Sequence, residues 1–168
     1  MLDIQLQLQS TVNTQKIRDF AQNANVNIAV GFLSGKQHVE TLHKKGKGKN
    51  AEYRKPAKQW ENAELAKMLT FGTAKIPPRP FIEEGINAEK ENIKKAIEEQ
   101  LNAIKQEKKA NWDKVGTMAV GAVQSFVRGD YYKTNKPNSP KTIEYKGSDT
   151  PLIDGADLIN SVEYVLEE

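Results

Sequence analysis

Leu2, Ile4, Leu6 and Leu8 alternate with Asp3, Gln5, Gln7 and Gln9, a period of two that predicts a half-buried strand. Thr14 is placed to cap a short helix carrying Ile17, Phe20, Ala21 and Ala24, closed by Asn25. Val26, Ile28, Val30 and Phe32 then alternate again and predict a second strand. Asn62 opens a short helix whose Leu65, Met68 and Leu69 share one side, and Gly72 is suited to end it in a left-handed conformation. Ile86, Ile93, Ile97, Leu101 and Ile104 recur at seven, four, four and three. That spacing predicts one long amphipathic helix from Glu83 or Asn87 to about Lys109, with Glu91 and Lys95 as a favourable pair on its polar face. Trp112, Val115, Met118, Ala119, Ala122, Val123 and Phe126 form a further helical stripe that ends at Gly129. Tyr131–Pro140 reads as turn-rich, Thr142–Lys146 as a strand, and the alternation of Val162, Tyr164 and Leu166 as a closing strand.

Between these elements, residues 35–58 show no durable period. The stretch is rich in Lys and Gly and cannot bury enough apolar surface to offset the cost of ordering its backbone. It reads as an extended basic loop or arm, with a hairpin at its base, inside a single domain spanning residues 1–168. The chain is 38% hydrophobic and 28% charged, which is polar for a globular domain. A small core leaves little margin of stability, so assembly with partners would add to it.

The net charge of +3 is modest, but its distribution is not even. Gly35–Lys58 holds eight Lys/Arg against two Glu, a local +6, whereas Lys141–Glu168 holds two Lys against seven Asp/Glu, a local −5. Oppositely charged surfaces favour association in one orientation and repel wrong pairings. The arm's Lys36, Lys44, Lys45, Lys47, Lys49, Arg54, Lys55 and Lys58 are the candidate contacts to a partner or to DNA. DNA contact through them would be sequence-independent and sensitive to salt.

Candidate chemistry is sparse. With no cysteine, disulfides and thiolate metal sites are excluded and synthesis in the cytosol fits. MLDIQLQLQS lacks the apolar run of a signal peptide, and no stretch approaches the roughly 20 apolar residues that span a bilayer. GFLSGKQ, from Gly31 to Gln37, approximates a phosphate loop but lacks one spacer before Gly35-Lys36, and Gln37 cannot supply the magnesium-binding hydroxyl. His38 and His43 are five apart rather than the four that would place a zinc pair on one helix face. Asp154 and Asp157 read as local caps near Asn160 and Ser161, and Glu83 and Glu84 as first-turn helix residues. No catalytic, cofactor-binding or metal-binding set is assigned, and the chain reads as a non-enzyme.

Two segments carry a resemblance. The first runs Asn62-Ala63-Glu64-Leu65-Ala66, Phe71-Gly72-Thr73, then Ile76-Pro77-Pro78-Arg79-Pro80-Phe81. The second runs Thr150-Pro151-Leu152-Ile153-Asp154, then Asp157-Leu158-Ile159-Asn160-Ser161-Val162. In this order, over residues 26–166, the chain resembles the tail-completion and head–tail joining neck proteins of tailed bacteriophages and their minor tail and virion-morphogenesis relatives. It departs from them at Gly155-Ala156, where the family often has Thr-Gly, and in its lysine-rich arm. The resemblance implies an α+β fold in which a small curved antiparallel sheet packs against one long and one or two shorter helices, beside the long basic loop. It implies a structural, non-catalytic subunit of a hexameric ring, found in the virion neck or tail and in the host cytoplasm during assembly. Its partners would be head adaptor or connector proteins and tail tube or terminator proteins, with genomic DNA passing through the lumen. An accessory protein binding DNA non-specifically through the arm is the alternative.

The motif residues have physical roles in this reading. Phe71 would bury against the long helix, Gly72 would turn the chain, and Pro77, Pro78 and Pro80 would stiffen the strap. Arg79 would form a fork to a carboxylate or to backbone carbonyls, and Phe81 would anchor the strap beside Ile86. Leu152 and Ile153 would pin the last loop to the sheet, with Asp154 bonding backbone amides.

Overall fold

A computed structural model describes residues 11–32, 43–45, 52–54, 61–153 and 157–167. In chain order these form α1 (Thr11–Ala24), β1 (Asn27–Phe32), β2 (His43–Lys45), β3 (Glu52–Arg54), α2 (Asn62–Phe71), α3 (Phe81–Ala88), α4 (Lys90–Lys105), α5 (Trp112–Arg128), α6 (Tyr131–Asn135), α7 (Pro140–Lys146), α8 (Asp157–Asn160) and β4 (Val162–Glu167). The strand predicted at Leu2–Gln9 lies outside the described residues.

The expected fold class needs correction. Eight helices stand among the described residues, and strands β1 and β4 make only a small open two-stranded antiparallel sheet, with β2 and β3 as a separate hairpin. A sheet on one long and one or two shorter helices is not what forms. Part of the difference lies at Thr142–Lys146, where Thr, Ile and Tyr suggested a strand. Ser139 Oγ instead accepts from Thr142 N at 3.2 Å, Pro140 takes the first turn, and Gly147 ends the helix at φ 70°. A complete set of start and stop signals outweighs the β propensity of three residues. Tyr131–Asn135, read as turn-rich, is likewise a short helix.

The single long helix is also two. Glu89 breaks it at φ −106° and ψ 16°, its backbone N–H donating to Asn87 O. Asn92 closes the break by donating Nδ2 to Glu89 Oε2 at 2.6 Å. Seven residues separate Ile86 from Ile93, so both still face the core and the hydrophobic spacing does not register the interruption. At the start of α2, Glu61 rather than Asn62 takes the cap position without a side-chain capping bond, and Asn62 is buried within the first turn.

Helix α5 is the axis of the fold. Val123 and Val127 join Phe81, Tyr132, Leu152, Leu158, Ile159 and Val162 in one core cluster. Val115, Ala119 and Ala122 join Ile93 and Ala96 in a second. Helices α3 and α4 run antiparallel to α5, since Glu84 meets Tyr132, Gly85 lies against Val123, and Glu99 pairs with Lys114. The sheet also packs on α5, with Gly116 against the Tyr164 ring. Its register pairs Ile28 with Leu166, Val30 with Tyr164 and Phe32 with Val162. Phe32 meets Phe81 edge to face with ring centroids 6.1 Å apart, an arrangement that suits the charge distribution of two aromatic rings.

Close approach of α3 to α5 depends on Gly85. A Cβ there would lie 2.7 Å from Val123 Cα, an overlap with backbone that cannot be relieved by a rotamer change. Gly121, also on α5, has no atom within 4 Å of a Cβ position. Gly85→Ala is expected to lose about 1–3 kcal/mol of stability or more, whereas Gly121→Ala is expected to gain about 0.5–1 kcal/mol from helix propensity. Urea denaturation of the two variants checks both; equal effects would remove the close-packing argument.

Candidate functional site: the proline strap and its arginine lock

Residues 72–80 form a strap between α2 and α3. Gly72 turns the chain at φ 74°, and a Cβ there would meet Ile76 O at 2.7 Å and Pro78 N at 2.8 Å. Only glycine fits both the conformation and the space. Thr73 and Ile76 then exchange backbone hydrogen bonds, Thr73 N to Ile76 O at 2.9 Å and Ile76 N to Thr73 O at 3.3 Å. Thr73 Oγ1 also accepts from Lys75 N and Ile76 N. The prolines lack the N–H groups a helix or central strand would use, so the strap satisfies its polar backbone locally. Arg79 N closes the loop by donating to Leu69 O at 2.8 Å.

The Arg79 side chain is the centre of this site. Only 4% of the residue is exposed. Its Nε donates to Lys136 O at 3.1 Å, and Nη2 donates to Lys136 O at 2.9 Å and Pro137 O at 3.1 Å. Of the two partners the sequence allowed, carboxylate or carbonyls, the fork takes carbonyls. Burial pulls the guanidinium's proton affinity below its usual value, yet a group that ordinarily titrates above about 12 stays charged at neutral pH. A cation held by two carbonyl dipoles fixes the strap against the segment joining α6 to α7.

Beside it, Tyr132 is 1% exposed and its hydroxyl donates to Glu84 Oε2. Lys136 Nζ lies 3.7 Å from Glu84 Oε1 and 5.9 Å from the Tyr132 ring centroid. Tyr132 also meets Phe126 and Tyr131 edge to face. Burial, followed by the Glu84 hydrogen bond and charge, raises the Tyr132 phenol far above its ordinary value. Tyr132 and Lys136 were not singled out from the sequence, and Glu84 was read there only as a first-turn helix residue. The only signal for them was an aromatic pair, Tyr131-Tyr132, in a stretch otherwise read as turns.

Other motif residues divide between core and surface. Phe81 is buried and Pro80 and Ile153 are half-buried, while Pro78 is exposed. Pro151 and Leu152 are buried, Leu152 with a backbone φ of 63°. Phe71, expected to bury against the long helix, is instead 75% exposed. As the last residue of α2, it is carried outward just before the Gly72 turn. Lys44, Lys45 and Arg54 stand on the β2–β3 hairpin, in which His43 pairs with Arg54 and Lys44 with Tyr53. Lys36, Lys47, Lys49, Lys55, Lys58, His38 and Asp154 lie outside the described residues. Among the described residues, no group of three or more His, Cys, Asp or Glu could hold a metal ion, and no helix is long and apolar enough to cross a membrane.

The chain matches no family model, no curated protein and no solved structure. Its role is therefore argued from the chemistry of its own surfaces.

Two outcomes follow from the lock. Arg79→Ala is expected to lose about 1.5–3 kcal/mol, because the Lys136 and Pro137 carbonyls lose a charged donor. Arg79→Lys recovers only part of that, since an ammonium cannot present a planar fork. Denaturant midpoints with unchanged m-values check this, and a neutral Arg79→Ala would remove the lock.

For Tyr132, the fold favours the neutral phenol. Its contribution to stability is complete below the unfolded tyrosine value of about 10 and is lost as pH rises beyond that toward the higher folded value. An alkaline titration at the phenolate absorbance, wild type minus Tyr132→Phe, is expected to show a late step coincident with unfolding. A difference step near the ordinary tyrosine value would contradict the buried, carboxylate-bonded hydroxyl.

Proposed function

We propose that this protein is a structural subunit of a tailed-phage neck or tail, a ring-forming tail-completion or head–tail joining protein. The observation that supports it most is the meeting of the two resemblance segments. Phe81 from the first and Leu152, Leu158, Ile159 and Val162 from the second share one core cluster, although about 70 residues separate them in the sequence. The strap between α2 and α3 is thus tied to the same core as the last loop, and its Arg79 lock makes it a stiff feature.

A stiff strap that displays an aromatic suits assembly. Phe71 is exposed at the entrance to the strap, while the Gly72 turn and Arg79 hold the neighbouring backbone. Preorganised aromatic anchors lose little entropy when a partner covers them. In this reading the partners are copies of the same chain, head connector proteins and tail tube proteins, around a channel for the genome.

Mass spectrometry and antibody labelling of purified phage particles are expected to place the chain in the neck or tail. Phe71→Ser, which leaves the core untouched, is expected to reduce its incorporation into particles about tenfold, the cost of losing one aromatic anchor. Particles that lack the chain altogether would sink the reading, and unchanged incorporation of Phe71→Ser would remove Phe71 from the interface.

A further inference from the structure

Where α1 crosses the C-terminal end of α4, an open cleft of about 700 Å³ is floored by Ile17, Phe20 and Ile104. Sites for small molecules commonly measure about 300–1,000 Å³. Ile17 is 62% exposed, a large apolar side chain left in water, and Phe20 is half-buried. Ile104 is buried, yet among the described residues it joins neither core cluster, and neither cluster includes a residue of α1. The floor is thus an apolar patch apart from the core. Polar contacts hold its walls together instead. Trp112 Nε1 donates to Asn23 O at 3.1 Å, and Lys16 Nζ bonds Glu107 Oε1 at 2.7 Å. Glu107 holds a left-handed backbone at φ 60°, and Lys108 N donates to Ala103 O at 2.9 Å, a turn that glycine usually makes at a helix end. A side chain there costs conformational energy, and its carboxylate is what fastens α1.

The charge around this floor is lopsided. Lys105, Lys108 and Lys109 also line the cleft, and all three are exposed. Among the described residues none of them pairs with a carboxylate. Lys108 Nζ donates to Gln106 Oε1 at 2.9 Å, a neutral acceptor that leaves its charge uncancelled. Lys16 and Glu107 offset each other, and Asp19 is the other carboxylate of the lining. Three cations therefore stand against one anion beside an apolar floor.

We infer that this cleft is a binding site for a long-chain carboxylate, a free fatty acid taken up as a monomer. Its alkyl chain lies on Ile17, Phe20 and Ile104, and its carboxylate meets Lys105, Lys108 and Lys109. Floor and rim select this ligand together. A compact anion would gain only exposed lysines, whose ion pairs in water are weak. An uncharged hydrocarbon would gain the floor and leave the lysines unanswered. A molecule with an apolar body and one anionic head uses both. Its chain also displaces water from the cleft, so the head and the lysines attract through a lower dielectric. The inference goes beyond the proposed function, since the site lies within one chain and needs neither a neighbouring subunit nor a phage.

Calorimetric titration of the full chain tests it, with octanoate, decanoate and dodecanoate each kept below its micelle concentration. Saturable binding is expected, tightening about fourfold or more with each added pair of methylenes. Decanol and decyltrimethylammonium, which carry the same tail on a neutral and a cationic head, are expected to bind about tenfold more weakly than decanoate, or worse. Lys105→Glu with Lys109→Glu is expected to weaken decanoate binding by about tenfold or more while circular dichroism stays unchanged. Should that variant misfold, Ile17→Ser, which alters an exposed side chain without changing charge, is expected to weaken binding and flatten the chain-length series. Amide chemical shifts that move at Phe20 and Ile104 on adding decanoate place the ligand in this cleft. No saturable binding at millimolar dodecanoate overturns the proposal, as does decanol binding as tightly as decanoate, or binding that ignores these substitutions. Capture by phosphatidylglycerol vesicles without binding of the monomer also overturns it, because the lysines then serve a membrane surface. Particle labelling reports separately on the phage role, so a protein absent from particles that still binds decanoate here keeps the site and loses only that role.

Discussion

The guanidinium of Arg79 on the carbonyls of Lys136 and Pro137 is the contact that makes the strap part of the fold. Without it, a proline-rich loop with few backbone donors would have little to hold it, because prolines cannot join a helix or a sheet. With it, α2, α3 and the segment after α6 are fastened at one point. The fork also explains why the cation tolerates burial. Carbonyl dipoles replace the water it loses, and Arg is less costly to desolvate than Lys because its charge is spread over a plane. Tyr132, Glu84 and Lys136 extend the same polar cluster toward α3. The aromatic ring fills core space while its hydroxyl answers a half-buried carboxylate.

From that point the order of the fold follows. Phe81 begins α3 one residue after Pro80, so locking Arg79 also places Phe81 in the core beside Val123 and Phe32. Gly85 then lets α3 settle directly on the α5 backbone. Helix α5 passes the constraint to β4, with Gly116 beneath the Tyr164 ring and Tyr164 Oη donating to Asp113 Oδ1 at 2.8 Å. At these two crossings a small residue lets a neighbouring backbone or an aromatic ring approach closely, while Val, Leu and Ile side chains fill the core between them.

Some of this was legible in the sequence. The stripe from Trp112 to Phe126, the helix after Glu61, and the alternation at 26–32 and 162–166 each matched one period clearly, and each forms the element that period predicts. Two kinds of feature were not legible. One is a break that preserves hydrophobic phase: Ile86 and Ile93 keep the same face whether or not Glu89 interrupts the helix. The other is a segment whose propensity and caps disagree, as at Thr142–Lys146, where capping at Ser139 and Gly147 decides. The strap was legible as a motif, with glycine, prolines and arginine in place, but its partners were not. Carbonyl oxygens carry no side-chain signature, so nothing in the residue types of Lys136 and Pro137 marks them as acceptors. Phe71 was misplaced for a related reason: its hydrophobicity argued for burial, while its position at the last turn of α2 directs it to solvent.

The contrast between strap and cleft bears on how such a surface can be both stable and ready for partners. Around Arg79 the polar groups are answered within the chain, so covering that face with a partner need not reorganise it. At the α1–α4 cleft the opposite holds. Ile17 is left in water, and Glu107 keeps a costly backbone conformation while bridging to Lys16. An exposed ion pair of this sort adds little stability to an isolated chain, and salt screens it readily. Its effect is larger once a neighbour excludes water, because the same charges then act through a lower dielectric. A chain with a small core, whose described surface leaves Ile17 and Phe71 in water, has more to gain from association than from further packing within itself.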